Sequence, residues 1–568
     1  MDKKWVFNKT TDPATTKSLS QELNINTSLS ALLIQRGVDS FDGAKQFFRP
    51  SLDQLHDPFL MKDMDEAVNR LCNAVFNKEK VLVYGDYDVD GTTSVSMVFS
   101  FLNDVYDPDK VDYYIPDRYT EGYGLSEKGV RWAHEQGFRL IITLDCGIKA
   151  NTQAALCAEL GIDLIICDHH LPGAVLPQAC AVLDPKRSDC PYPYKELSGC
   201  GVGFKLLQGF CQQNTIDLKR LYQYLDLLAI SIASDIVPIT GENRVMAFYG
   251  LNKINADPSS GIQSLIEVSG LKTKLKMSDL VFYLGPRINA AGRLSHARES
   301  VKLLINADPD QLETFSKQLN EINATRKNYD KTTTEQALEM IEADPASLQK
   351  RSTVLFKNDW HKGVVGIVAS RCIENHYRPT IILTESQGHA TGSARSVEGF
   401  DIHAAIEQCA DLLDQFGGHH HAAGLSLPLE NLQPFKARFE EVVAESITAD
   451  QLQCKLEVDL EVNFNFITFK SYHIIRQMAP FGPGNPNPTF VSHQLRVKYP
   501  PRLIKDEHLK MTLQQDNSPS IEAIGFGMHR FFEPVSSGKP FSMAYHLDEN
   551  EYRGNKSLQL IIKDIKIE

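Results

Sequence analysis

Short apolar runs that end on carboxylates constrain this chain more than any other feature. They stand at VLVY (81–84), VDYYI (111–115), LIITL (140–144), DLIIC (163–167) and AVL (181–183). Stretches with helical spacing separate them at 92–106, 126–136 and 150–160. Strands alternating with amphipathic helices call for βαβ units and a parallel sheet covered on both faces. Near-continuous apolar strands fit that double burial better than one-sided alternation would. Open sheets of this kind bind ligands beyond the carboxyl ends of their strands. Those ends are where this chain places its charge.

VLVYGDYDVDGTTS (81–94) leaves its strand at Gly85 and delivers Asp86, Asp88 and Asp90 before a helix opening at Gly91-Thr92-Thr93. Three carboxylates in five residues repel one another, and a hard divalent cation relieves the repulsion. The bland alternative is a capping Asp in a solvated acidic loop. LIITLDCG (140–147) adds Asp145, and DLIICDHH (163–170) adds Asp168, His169 and His170. ISIASDIVPI (230–239) reads as a fourth strand end, with Asp235 interrupting an apolar run. Any one of these could be a cap or a satisfied structural histidine. Their convergence carries the metal reading. Carboxylates accept magnesium or manganese and imidazole prefers softer ions, so the mixed set leans to manganese.

At 568 residues the chain exceeds one hydrophobic core, and three or four domains are expected. A second α/β pattern starts at TVLF (353–356) and runs to about Ser446. Between the two, Asp310–Asp344 lacks Gly and Pro and keeps Leu312, Phe315, Leu319 and Ile322 at helical spacing. It is one helix of ~50 Å or two helices with a turn. After FGPGNPNPTF (481–490) the pattern becomes period two, and DENEYRGN between the last two runs signals a hairpin. A small barrel, foremost an OB-fold, is expected there. The resulting division is an N-terminal helical lead-in (1–75), a catalytic α/β domain (76–308), a connecting helix (309–348), a second α/β domain (349–454) and an OB-fold-like nucleic-acid-binding domain (455–568).

A net charge of −13 at first disfavours a nucleic-acid partner. Residues Lys455 to Glu568, however, carry 14 basic and 13 acidic side chains, so the deficit lies wholly in the preceding chain. An acidic body that holds cations beside a Lys-bearing tail suits an anionic polymer. Eleven cysteines without a CxxC pair argue against a zinc ribbon or a disulfide framework and for free thiols in a reducing cytosol. No run approaches the ~18 apolar residues of a membrane span. The opening MDKKWVFNKTTDP has no apolar h-region, so no secretory signal is expected.

In order, GDYDVDGT, LDCG, DHH and SDIVP resemble the successive motifs of the DHH phosphoesterase superfamily. IPDRYTEGYGL (115–125), GPRINAAGRL (285–294), WHKGVVGIVASR (360–371), GSARS (392–396), GGHHHAAGL (417–425) and PFGPGNPNP (480–488) narrow the resemblance to its RecJ family of single-strand-specific exonucleases. The likeness runs from about residue 80 to the end. It implies two divalent cations, Mn2+ or Mg2+, with Asp88, Asp90, Asp145, His169 and Asp235 at the ligand positions and Asp145 bridging. Asp86 matches a further motif position, and His170 is placed against the phosphate or just behind the ligands, so that Asp145 and His170 are the catalytic assignments. Two ions ~3.5–4 Å apart activate water for in-line displacement, and no protein nucleophile is needed.

Arg287, Asn289 and Arg293 lie in a Gly-rich segment where a guanidinium fork suits phosphate, with a salt bridge between lobes as the alternative. GSARS and GGHHHAAG resemble the DHHA1 domain, which implies substrate contacts at Ser393, Arg395, Gly418 and His419. His420 and His421 lack a nearby Cys or acidic residue that would complete a zinc site. Tyr119 and Tyr123 offer base-stacking faces or ordinary packing. In the tail, Lys498, Arg502, Lys505, Lys510, Arg553 and Lys556 suit a single strand or a solvated face.

The expected activity is metal-dependent hydrolysis of phosphodiester bonds in single-stranded DNA by a cytoplasmic exonuclease. From the resemblance alone come 5′→3′ polarity, release of 5′-mononucleotides, a place in DNA repair and recombination, and work beside a helicase and a single-strand-binding protein. One alternative is a phosphodiesterase on short oligonucleotides or cyclic dinucleotides, for which the extra barrel is superfluous. Another is a non-catalytic single-stranded-DNA-binding scaffold, against which the intact ligand set speaks.

Overall fold

A computed structural model describes residues 2–272 and 274–567. Its first sheet is parallel throughout, in the order Val111–Tyr114, Val81–Gly85, Leu140–Leu144, Asp163–Cys167, Ala181–Leu183. Every residue of Val81–Gly85 and Leu140–Leu144 is buried, which is why these runs show no alternation. After Val81–Gly85 the chain adds a strand on one side, then crosses to the other. The reversal falls between Val81–Gly85 and Leu140–Leu144, where such sheets open a crevice. Helix Val89–Val105 follows the first strand and packs against helices Gly199–Gln213 and Leu225–Ser234.

Leu225–Ser234 corrects the sequence expectation. This segment is a helix, so Asp235 comes from a helix carboxyl end and not from a strand end. All residues from Leu225 to Ala233 are buried, so no apolar stripe betrays the helical period.

The segment between the two α/β patterns forms one continuous helix, Pro309–Glu342, whose 34 residues span about 50 Å at 1.5 Å each. The second sheet has the order Gln415–His419, Ala422–Pro428, His389–Arg395, Thr380–Ser386, Thr353–Phe356. It is antiparallel except for its last pair. Phe435 and Phe439 of helix Leu432–Ser446 pack into its core.

Near the end of the chain, Phe490–Val497, His508–Gln514, Ile521–Gly525, Asn555–Ile567 and Phe541–Tyr552 pair in succession. Arg496↔Gln514 and Val497↔Leu513 close the ring. Ile521–Gly525 and Asn555–Ile567 pair in parallel and the other pairs are antiparallel, giving the five-stranded barrel of an OB-fold. The final hairpin is tighter than DENEYRGN suggests. Residues through Tyr552 remain in the strand, and the turn is Arg553-Gly554 with φ of 52° and 79°. Two left-handed residues there match the twist of the flanking strands.

The lead-in helices Pro13–Leu23, Thr27–Gln35 and Phe41–Phe48 share their core with this barrel. Leu19, Leu29, Leu32, Leu33 and Ala44 are buried with Phe464, Ile475, Phe490, Tyr545 and Leu560. Arg244 of helix Gly241–Ala256 reinforces the seam by donating to the carbonyls of Met478 (2.8 Å), Phe47 (3.0 Å) and Ala479 (3.2 Å). The eleven cysteines are unpaired. No helix among the described residues is long and apolar enough to cross a membrane.

Candidate metal centre

The carboxylates at the sheet rim are held by backbone donors, so little freedom remains to them. Asp88 caps helix Val89–Val105 through Oδ1, which accepts from Gly91 N at 2.9 Å. Asp90, fully buried, accepts from Gly199 N (2.6 Å), Cys200 N (2.9 Å) and Ser231 Oγ (2.7 Å). The first two donors belong to the amino end of helix Gly199–Gln213, which favours an anion. Asp145 sits at a left-handed φ of 59° directly after its strand. A Cβ on Gly199 would stand 2.5 Å from the Asp145 Cβ, so only glycine lets the helix end approach this carboxylate.

His169 gathers the group. Its Nε2 lies 3.2 Å from Asp145 Oδ1, 3.6 Å from Asp235 Oδ2 and 3.9 Å from Asp90 Oδ2. Ligand atoms of Asp90, His169 and Asp235 fall within 4.8 Å of one another, as do those of Asp145, His169 and His170. Burial, then the charge of His170, pulls His169 down to about 3, so its imidazole is neutral. Burial, then the charge of Asp88, raises Asp90 to about 6. Burial and the neighbouring carboxylates, Asp90 foremost, lift Asp145 and Asp235 well above the carboxylate range. A buried imidazole nitrogen with no hydrogen bond among the described residues, facing three carboxylates, is an arrangement of repelling lone pairs that a divalent cation converts into a ligand set. The residues fit a metal.

Asp168 is the organiser beneath. Its Oδ2 accepts from Ile148 N, and its Oδ1 accepts from His169 N (2.7 Å) and contacts His170 Nδ1 (2.7 Å). Burial opposes its ionisation, but the His170 contact prevails and holds it at about 2. Partial burial likewise opposes protonation of His170, and the Asp168 bond outweighs this, raising it to about 9. The two adjacent histidines therefore differ in kind. One is a buried neutral imidazole and the other a half-exposed cation.

Asp86 is buried and accepts from Gly124 N at 3.3 Å, tying the TEGYG segment to the first strand. Tyr123 Oη donates to the Asp145 carbonyl at 2.9 Å. Arg287 is buried and donates to the Tyr283 carbonyl at 2.7 Å, while Asn289 keeps a buried Oδ1 without a hydrogen bond among the described residues. Arg293 donates to the Gly363 carbonyl at 3.1 Å. In the second α/β domain, Arg395 Nη1 donates to Ser393 Oγ at 2.7 Å, and a Cβ on Gly366 would stand 2.8 Å from Arg395 Nη2. Gly418 has a left-handed φ of 145° beside His419, whose Nδ1 accepts from His421 N. Sequence reasoning missed Gly199, Ser231 and Gly366. It also missed Tyr87 and Arg118, whose guanidinium lies 4.9 Å over the Tyr87 ring. Gly199 and Ser231 act on Asp90 across more than a hundred residues, and only the tertiary fold reveals them.

A 2-1-3-4-5 parallel sheet with a cluster of Asp and His side chains at its rim that could hold metal ions defines a metal-dependent hydrolase of the DHH type. The chain matches the DHH family N-terminal domain over residues 80–232, the DHHA1 domain over 349–445 and the RecJ OB domain over 458–564. It is 37% identical over 555 residues to the single-stranded-DNA-specific exonuclease RecJ of Bacillus subtilis (strain 168), covering 97% of this chain and 69% of that protein. With its counterpart from Escherichia coli (strain K12) it shares 34% over 527 residues, 89% and 90% of the two chains. The crystal structure of RecJ in complex with Mn2+ from Thermus thermophilus aligns with a TM-score of 0.85 at 26% identity, over 99% of this chain and 79% of that one. The chain belongs to the RecJ family.

Proposed function

We infer that this protein is a metal-dependent exonuclease that hydrolyses phosphodiester bonds of single-stranded DNA. The observation that carries the inference is the buried His169 Nε2 facing Asp90, Asp145 and Asp235 in a chain of this family. Asp88, Asp90, Asp145, His169 and Asp235 would hold two divalent cations, His169 being common to the two groups of close ligand atoms. Asp86 serves from behind by fixing the TEGYG segment. When bound, such cations polarise the phosphate and make water nucleophilic at neutral pH. A neutral imidazole among oxygen ligands suits manganese as well as magnesium.

The chain's own groups do the rest. Ser231 and the Gly199 and Cys200 amides orient Asp90. Protonated His170, held by Asp168, offers a positive N–H to the phosphate oxygens. In the second domain Ser393, Arg395 and His419 are the phosphate and sugar contacts we assign. Arg287 and Asn289 support the substrate side from beneath, since Arg287 is already committed to a backbone carbonyl. On the barrel, Lys510 and Lys556 are paired with Glu522 (3.0 Å) and Glu549 (2.8 Å), whereas Arg502 and Lys505 make no ion pair among the described residues. Those two, with Lys498 and Arg553 beside the exposed rings of Tyr499 and Tyr552, form our candidate track for a single strand.

Polarity from the 5′ end, release of 5′-mononucleotides, action in repair and recombination beside a helicase and a single-strand-binding protein, and a cytoplasmic location complete the proposal. The family resemblance supports them. End-labelled oligonucleotides with manganese test it. Label on the 5′ end should appear at once as mononucleotide, label on the 3′ end only late, and blunt duplex should persist. Products that stop at dinucleotides would instead indicate a short-substrate phosphodiesterase.

A further inference from the structure

Ile236 directly follows Asp235 at the carboxyl end of helix Leu225–Ser234, in a backbone conformation that isoleucine avoids. Its φ is +60°, the left-handed region in which a β-branched residue is an outlier and which glycine or asparagine usually fills at a helix end. Packing does not offset the strain, because the side chain is 64% exposed. The surroundings hold the conformation from both sides. Asp235 N donates to the Ser231 carbonyl, Val237 is buried, and the Pro238 carbonyl accepts from Tyr194 Oη (3.2 Å) and Asn243 Nδ2 (3.1 Å). A strained, solvent-facing apolar side chain beside a ligand carboxylate contributes nothing visible to the fold. Strained residues of this kind cluster at active sites and ligand clamps.

Two further exposed apolar side chains border the same centre. Leu171 follows His170 and is 68% exposed, and Tyr123, bonded to the Asp145 carbonyl, is 54% exposed. On the exonuclease reading the phosphate of a bound strand would go to the cations and His170. The sugar and base of that nucleotide then need an apolar surface at the rim.

We propose that Ile236 is a positioning residue that packs against the deoxyribose and base of the nucleotide being cleaved and so holds its phosphate at the metal centre. The inference rests on the exonuclease reading, which the unaltered protein tests in the same assay by degrading single strands.

Ile236→Gly separates the functional role from a structural one, because it removes the apolar contact and relieves the backbone at once. We expect its Tm to rise and its Mn2+ affinity by calorimetry to match the unaltered protein. Its kcat/KM on a single-stranded oligonucleotide should fall about tenfold, mostly through KM, as for loss of one aliphatic contact. Ile236→Val should restore most of the KM. The proposal fails if Ile236→Gly cleaves with unchanged KM and kcat, if the loss follows weakened Mn2+ binding, or if Tm drops.

Discussion

Replacing Asp168 with asparagine tests how the site keeps His170 charged. In the protein His170 Nδ1 lies 2.7 Å from Asp168 Oδ1, and this contact overcomes partial burial to raise His170 from 6.5 to about 9. At pH 8 a group with that pKa is about nine-tenths protonated, and one returned to 6.5 is about 3% protonated. Asparagine retains an acceptor for the backbone but carries no charge, so His170 returns toward its ordinary value. If the protonated ring meets the phosphate, kcat/KM at pH 8 falls about thirtyfold, while at pH 6 the loss is about twofold or less. The assay is the initial rate on labelled single strands at saturating magnesium between pH 6 and 9.5. The descending alkaline limb should move from near 9 to near 6.5. Coincident limbs, or an equal loss at every pH, would refute the reasoning. Linkage gives a second check. His170, with its raised pKa, contributes stability below 6.5 that is lost as pH climbs through about 9. Asp168, lowered to about 2, contributes above its ordinary 3.8 and loses this as pH falls through about 2. The variant's Tm deficit is therefore largest between those windows, at about pH 4–6.5.

Three further outcomes are expected from the geometry. Asp145→Ala should abolish hydrolysis while single-stranded DNA is still bound, as read by fluorescence anisotropy; turnover at the original rate would remove Asp145 from the centre. Gly199→Ala places a methyl 2.5 Å from the Asp145 Cβ and 2.7 Å from its Cα, so Mn2+ affinity measured by calorimetry should fall at least tenfold; unchanged affinity would mean the helix end yields freely. Joint replacement of Arg502, Lys505 and Arg553 by Glu should weaken binding of long strands and flatten its salt dependence, leaving the rate on short oligomers near its original value; an unaltered salt slope would exclude this track.

Much of the candidate metal centre is legible in the sequence because its carboxylates after Gly85, Leu144 and Cys167 each end an unmistakable apolar run. Burial on both faces makes such runs read as strands, and the sheet rim then gathers the side chains that come next. The same burial hides the helix Leu225–Ser234, which is buried on every face and so shows no apolar stripe, and Asp235 reads as a strand end. Gly199 and Ser231 are illegible for another reason. Their work is a close approach and a hydrogen bond to residues 54 and 141 positions away, and neither leaves a local pattern. The strain at Ile236 is a backbone property that SDIVP does not display. The barrel's topology is expected from period-two runs, but its shared core with the first three helices joins segments more than 400 residues apart and can only be seen folded.

That shared core has a consequence for how the protein is made. Leu19, Leu29 and Leu32 leave the ribosome well over 400 residues before Phe490 and Tyr545, the side chains that cover them. At ~5–20 residues per second the delay is on the order of a minute. For that interval the apolar faces of the three helices have no barrel to pack on, so the last strands made complete the core that the first helices begin.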